Sequence, residues 1–448
     1  MGRYVILGNG VAGTRAAEML RDLDQDAEIV VVTEEVHPFY RRPLLVDYVT
    51  GRVGVSLLAG RKKDFYEAKR IELLLDRRAE SVDPAAKVVT LSDGKELGYD
   101  KLLVATGRKP VGPEDTQDDR IIYMKTLADA DRIRGMSGRG RSAVVHGNGM
   151  LALEMVRAFT GVGFETTYLV PSERIWPDVL DIDAADIVAS RVRSAGAEIM
   201  YSAEISEVQG EGRASGVALK SGHTVTADTV GIAGEYLPSV DFLPGGMSGY
   251  RPEPGYSTPW KDVFIAGDVT ADPQMGHFNW LRSWRQGADV ARAMNGSGAA
   301  EFQKADLLNT QVMGLSLMAI GQTVTKYRSG YKEMRGDYPY AEFYKKLVFD
   351  PDEVLAGALL LGNIAEAGAL EKAFRSGVRK SDLDGALLHQ MFDVTYEVSF
   401  KGVQCPVCRH EIQLEAEAKV GDTVTCPICG AEVSLEKGSQ AFRARVAR

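Results

Sequence analysis

The chain opens on a short apolar run, "RYVIL", which reads as a β-strand. It stops at Gly8-Asn9-Gly10-Val11-Ala12-Gly13, and a helical stretch follows from Thr14 to about Leu23. A second apolar run, Glu28 to Thr33, ends on Glu34-Glu35. Together these predict a βαβ unit with a glycine turn between its first strand and its helix. The same order recurs mid-chain in "SAVVHGNGMLALEMV", with Gly147, Gly149 and Ala152 in the three glycine places and the strand "ETTYLV" after it. Further on, "TQVMGLSLMAIGQ" alternates as a strand does, so its Met residues read as core packing. Near the C-terminus "HEIQLEAEAKVGDTVTC" reads as two polar strands. No run approaches the ~18 apolar residues needed to span a bilayer.

The glycine spacing points to chemistry. Gly8 permits a tight turn, Gly10 lets a pyrophosphate approach the backbone, and Gly13 lets helix and strand pack closely. The helix N-terminus offers free N–H groups and a positive dipole end to phosphates. Glu34 or Glu35 is placed to hold ribose hydroxyls; the spacing leaves both open. In the second copy alanine is tolerated at the third glycine place. The expected strand-end acid is missing there, however, because Val170 stands in its place, followed by Pro171-Ser172-Glu173-Arg174. The second unit is therefore either a degenerate structural fold or a nicotinamide nucleotide site with relaxed or NADPH-leaning choice, with Arg174 near the 2′-phosphate. Two dinucleotide folds suggest one resident and one exchanging nucleotide. A flavin with a nicotinamide is the common pairing, since a flavin accepts a hydride and can release single electrons.

Composition narrows the class. The 448 residues are 45% hydrophobic and 26% charged, with a formal charge of −9 at pH 7. That balance is ordinary for a globular protein and argues against nucleic acid as a partner, which calls for a basic face. The run Arg61-Lys62-Lys63 reads as solvated surface. No leader precedes "RYVILGNG", so a cytoplasmic location is expected, with no membrane span.

Several motifs carry a resemblance to pyridine-nucleotide-dependent flavoprotein oxidoreductases over roughly residues 1–385. "LLVATGRKP" resembles the segment where such chains leave the FAD domain, and "VGIAGEYLP" the segment that leads back. "VFIAGDV" resembles the second FAD motif, and "NWLRSWRQG" the start of the helix beside the flavin. "HPFYRRPLLVDYVTG" and "YKKLVFDPDEVLAGALLLGN" are similar to the rubredoxin-reductase, ferredoxin-reductase and nitrite-reductase branch. The resemblance implies cofactor contacts at Arg42, Pro43, Ala105, Thr106, Gly107, Gly267, Asp268 and Trp280 for FAD. For NADH or NADPH it implies Gly147, Gly149, Ala152, Glu154 and Gly234. Asp268 would bond the ribityl chain. Two departures stand out: Val46 and Asp47 replace the usual Ser and Lys or His near flavin N5, and His146 stands where Gly is frequent.

The cysteines exclude part of the family's repertoire. All four lie in the tail, at Cys405, Cys408, Cys426 and Cys429, so the flavoprotein portion offers no thiolate nucleophile. No catalytic side chain is assigned. The spacing C-x₂-C-x₁₇-C-x₂-C suits tetrahedral zinc, with iron as the alternative. Zinc is favoured because both knuckles begin Cys-Pro and the segment resembles small zinc ribbons, including the type found in amino-group carrier proteins. Iron would make the tail rubredoxin-like.

The expected architecture is α/β. It has an FAD-binding domain at 1–110 and 240–305, an NAD(P)-binding domain at 111–239, a small α+β domain at 306–385 and a four-cysteine metal module at 401–436. The expected function is an FAD-dependent NAD(P)H oxidoreductase. It would pass electrons to a redox protein or small acceptor, as a homo- or hetero-oligomer. The alternative is a flavoprotein subunit of a larger redox complex, docked by its ribbon, with weak or no nicotinamide turnover.

Overall fold

The computed structural model describes residues 2–111, 120–138, 141–210, 214–245, 254–270, 280–298, 307–324, 331–336, 343–389, 391–394, 402–404, 411–414, 419–425, 432–437 and 442–446. The chain divides into two compact units, Met1–Asp393 and Val394–Arg448.

The first unit holds two parallel five-stranded sheets. In the first, the strands run in the order Val263–Ile265, Lys101–Val104, Arg3–Leu7, Glu28–Val32, Ile71–Leu74. Both faces of this sheet are covered, which is why its strands read as unbroken apolar runs. Tyr4, Ile6, Ile29 and Val31 pack toward the helix side. Val5, Leu7, Val30 and Val32 pack with the three-stranded antiparallel sheet 79–98 on the other. The helices Val11–Leu23 and Trp280–Asn295 lie against each other. Gly287 makes that approach possible, since a Cβ there would lie 2.4 Å from the Ala12 carbonyl oxygen.

The second sheet repeats the plan in the order Ala197–Met200, Glu165–Leu169, Ser142–Gly147, Thr229–Ala233, Ile121–Ile122. The two passages between the sheets run side by side: Arg108–Pro110 pairs antiparallel with Tyr236–Pro238.

A six-stranded sheet follows in the order Leu307–Val312, Leu315–Gly321, Leu355–Gly362, Tyr344–Phe349, Lys332–Gly336, Met391–Val394, with the helix Ala367–Arg375. The segment that alternates as one strand is in fact a hairpin. Its turn is Met313-Gly314, at φ 48° and 81°, the pair of positive values a two-residue turn of matching twist requires. Met318 is fully buried, and Met313 is buried at the turn.

The second unit contains the hairpin Gly402–Gln404 with Glu411–Gln413, and a sheet of Thr423–Thr425, Glu432–Lys437 and Phe442–Val446. Val403, Ile412, Val433 and Leu435 form its small core. The four cysteines, and His410 beside them, lie outside the described residues. In sequence, each C-x-x-C pair falls between two strands that pair with each other. Among the described residues no helix is long and apolar enough to cross a membrane.

Candidate functional site

A cavity of about 740 Å³ runs from the first glycine turn to the face of the six-stranded sheet. Its near end is built by close backbone approach. Gly8 has φ 107°, and a Cβ there would lie 2.3 Å from the Ala105 carbonyl oxygen; one at Gly13 would lie 1.9 Å from that of Gly8. Only glycine lets the helix meet the strand so closely. Gly10 caps the helix Val11–Leu23, whose first turn carries no acid. Gly10 lines the cavity beside the Arg42 guanidinium. Asn9 is held in place by Tyr66 Oη (2.8 Å) and Thr14 Oγ1 (3.1 Å), both donating to its Oδ1.

Of the two strand-end acids, Glu35 lines this cavity and Glu34 is exposed outside it. Glu35 accepts from Tyr40 Oη at 2.6 Å and pairs with Arg42. Burial pushes the Tyr40 hydroxyl well up, so it donates and does not ionise. Lys125 reaches the same region from the far side of the connectors. Burial, and then the charge of Arg42, push its ammonium down. The carboxylates of Glu34, Glu35 and Asp129 act on that ammonium in the opposite direction.

The middle is made by Asp268 and Trp280. Asp268 Oδ1 accepts from Ser283 Oγ at 3.1 Å and pairs with Arg282 at 3.4 Å. Gly267 N–H donates to Gln286 at 2.7 Å, which fixes the turn against the helix. Trp280 leans on Phe39 with ring centroids 5.7 Å apart. Pro43 also lines the wall.

The far end holds an ion triad. Arg157 bridges Asp47 Oδ1 at 2.7 Å and Glu154 Oε2 at 2.8 Å. Asp47 and Arg157 belong to different sheets' helices, so the guanidinium ties Leu45–Val49 to Met150–Gly161. Burial pushes the Glu154 carboxyl up, and Arg157 pulls it back only in part. Thus the position where the resemblance leads one to expect a cationic side chain holds Asp47, and the cation arrives from Arg157. Leu308, Asn309, Thr310 and Gln311 close the cavity from the six-stranded sheet.

The remaining sequence-predicted residues shape backbone outside this lining. Thr106 Oγ1 donates to the Ser239 carbonyl at 2.6 Å, and the Gly107 carbonyl accepts from Ser239 N–H at 2.9 Å, which joins the outgoing and returning segments. A Cβ at Gly234 would lie 3.6 Å from Ile232 Cγ2, an ordinary contact distance, so this position does not demand glycine for space. Gly147, at φ 147°, lies where a Cβ would be 2.2 Å from the Ala233 carbonyl oxygen, and Ala152 is fully buried.

The second glycine turn differs from the first in what it faces. Gly149 is buried, and a Cβ there would lie 3.3 Å from Trp176 Nε1. Val170 is fully buried at the strand end. Arg174, expected near a 2′-phosphate, donates into its own loop instead, to the carbonyls of Leu180 (3.2 Å) and Pro177 (2.9 Å).

Sequence reasoning missed Lys125, Arg157 and the 308–311 strand. Arg157 had a faint signal, since Glu154 and Arg157 stand three apart on a helix and so share a face. Lys125 and the strand had none, because they come from elements remote in sequence.

The chain has counterparts among known proteins. Residues 2–294 match the family described as pyridine nucleotide-disulphide oxidoreductase. Residues 403–437 match the globular domain of proteins like the alpha-aminoadipate carrier protein LysW. The rubredoxin-NAD(+) reductase of Ectopseudomonas oleovorans is 29% identical over 241 residues, covering 53% of this chain and 63% of that protein, less than two thirds of its length. A ferredoxin–NAD(+) reductase component of the anthranilate 1,2-dioxygenase system of Burkholderia cepacia is 29% identical over 395 residues, 84% of this chain and 94% of that protein. The ferredoxin reductase of the CYP199A2 system of Rhodopseudomonas palustris superposes with a TM-score of 0.76 at 21% identity, over 86% of this chain and 98% of its own.

Proposed function

The chain belongs to the pyridine nucleotide-disulphide oxidoreductase family, and from that premise we propose that it is an FAD-dependent oxidoreductase that draws electrons from NADH or NADPH and delivers them to a redox protein or small acceptor. The observation that carries this reading is the continuous cavity of about 740 Å³ whose lining runs from Gly10 at the first glycine turn to Asp47, Arg157 and Glu154. Reductases of rubredoxin and ferredoxin among its relatives point to an acceptor of that kind.

The residues fit FAD. Gly10 and the N–H groups of Val11–Leu23 receive the diphosphate. Glu35 takes the ribose hydroxyls, Arg42 and Lys125 offset the phosphate charge, and Asp268 meets the sugar-alcohol chain. Bound FAD would supply hydride acceptance and stepwise electron release. The protein's own part is to orient and to exclude water. Met150, Leu151 and the 308–311 strand wall the far end, and Arg157 holds positive charge there whatever the protonation of Glu154. Residues 1–404 contain no cysteine, so the flavoprotein portion supplies no thiol of its own to the reaction.

We assign FAD binding to 1–110 and 240–305 and nicotinamide binding to 111–239. The small α+β domain then spans 306–385 and the metal module 401–436. In that module Cys405, Cys408, Cys426 and Cys429 would hold zinc, with iron the alternative that metal analysis excludes or establishes. Four reduced thiols suit a reducing compartment such as the cytoplasm.

Rapid mixing of the flavin-loaded protein with NADH or NADPH tests the reading. The visible flavin band should bleach with at least one of them. If neither bleaches it, while dithionite does, the nicotinamide reaction is ruled out.

A further inference from the structure

The two glycine turns are alike in sequence and opposite in access. Gly10 lines the open cavity; Gly149 is buried. What buries it is the Trp176 indole, 2% exposed, packed where a side chain at Gly149 would point. In this fingerprint the second glycine is small so that a diphosphate can approach the backbone. Here the indole fills that approach.

The segment carrying Trp176 is latched to the turn itself. Trp176 N–H donates to Asn148 Oδ1, and Asn148 Nδ2 donates to Ser172 Oγ, each at 2.6 Å. At the other end Thr323 Oγ1 donates to the Val179 carbonyl at 2.8 Å. Trp176 also has φ 48°, a left-handed conformation that a bulky side chain rarely adopts. Such strain persists only where the surroundings impose it, and it favours release once they change. Behind the indole, the helix Met150–Gly161 has no acid in its first turn, so its N-terminus can receive a diphosphate once uncovered.

We infer that Trp176 is a displaceable plug on the second dinucleotide turn, and that a nicotinamide dinucleotide seats against Gly149 only after the indole has moved aside. This rests on the nicotinamide reading above. The plug sets the affinity: a nucleotide that must first select the open form binds more weakly by the fraction of molecules that are open.

The test titrates the intact flavin-loaded protein with NAD⁺ and NADP⁺, following tryptophan emission and its quenching by acrylamide. Trp176→Ala and Asn148→Ala are titrated by calorimetry beside it; the second keeps the indole and removes only the latch. Saturation should red-shift the wild-type emission and expose one tryptophan to acrylamide, and both variants should bind about tenfold more tightly. Binding by the variants alone would support the plug still more directly. Wild-type binding with unchanged emission, and variant affinities within about twofold of it, would overturn the plug while leaving the nicotinamide reaction standing. Failure of all three proteins to bind either nucleotide, with no bleaching by NADH or NADPH, would overturn both.

Discussion

At Arg157 one guanidinium holds two carboxylates that would otherwise face each other. Its side chain is 10% exposed, and those of Asp47 and Glu154 are 21% and 15% exposed. Breaking a buried pair leaves uncompensated charge and costs more than the pair itself contributes. Arg157→Met should therefore destabilise the protein by about 3 kcal/mol, read as a lower denaturant midpoint at neutral pH. The loss should shrink at acid pH, where Glu154, already pushed up by burial, takes a proton. An equal loss at every pH would show that the carboxylates are not what Arg157 serves. This is also the scale at which the sequence was least readable. The glycines of the first turn were plain because their spacing is a local backbone requirement. Which of Glu34 and Glu35 faces inward depends on how the chain leaves its strand. Lys125, Arg157 and Trp176 matter through neighbours that the fold alone brings near.

Between elements, the helix Ile182–Ser194 and the six-stranded sheet are joined through the helix cap. Asp181 Oδ1 accepts from Ala184 N–H at 3.1 Å, while its Oδ2 accepts from Tyr344 Oη (2.6 Å) and Lys346 Nζ (3.0 Å). Lys346 is 1% exposed and also pairs with Glu333 at 2.7 Å. Burial works against the Asp181 charge, but Lys346, Tyr344 and the cap outweigh it and hold the carboxyl below its usual range. A depressed folded value means the contribution is present above the unfolded pKa of about 3.9 and is lost as pH falls through the folded one. Asp181→Asn should thus lower the urea midpoint at pH 7 and flatten its fall on acidification; an unchanged acid limb would show that Asp181 does not carry it. The elements themselves were largely legible. Parallel strands buried on both faces announce themselves as apolar runs, whereas the hairpin at Met313-Gly314 hid inside a single alternating pattern.

At the scale of the whole molecule the two units rest on different physics. Met1–Asp393 has extended apolar cores, but the described core of Val394–Arg448 is four buried residues with Leu414 and Val424 packed against them. Small domains of this kind usually need a further stabiliser, and the metal proposed at the four cysteines would supply folding energy directly. A strong chelator should therefore open the tail to protease while the flavin band and the first unit stay intact. A tail that stays resistant after complete metal removal would show that the ribbon does not depend on its metal. The tail was legible as a ribbon, the kind of domain residues 403–437 match, because its two C-x-x-C pairs form a local sequence pattern.

The pairing of Arg108–Pro110 with Tyr236–Pro238 has a consequence of its own. The chain departs and returns through one hydrogen-bonded gate, so everything between forms a cassette whose two ends already touch. Inserted modules of that kind can be exchanged without rethreading their host. On the domain assignment proposed above, a related module grafted at this gate would give the flavin domain a different electron donor.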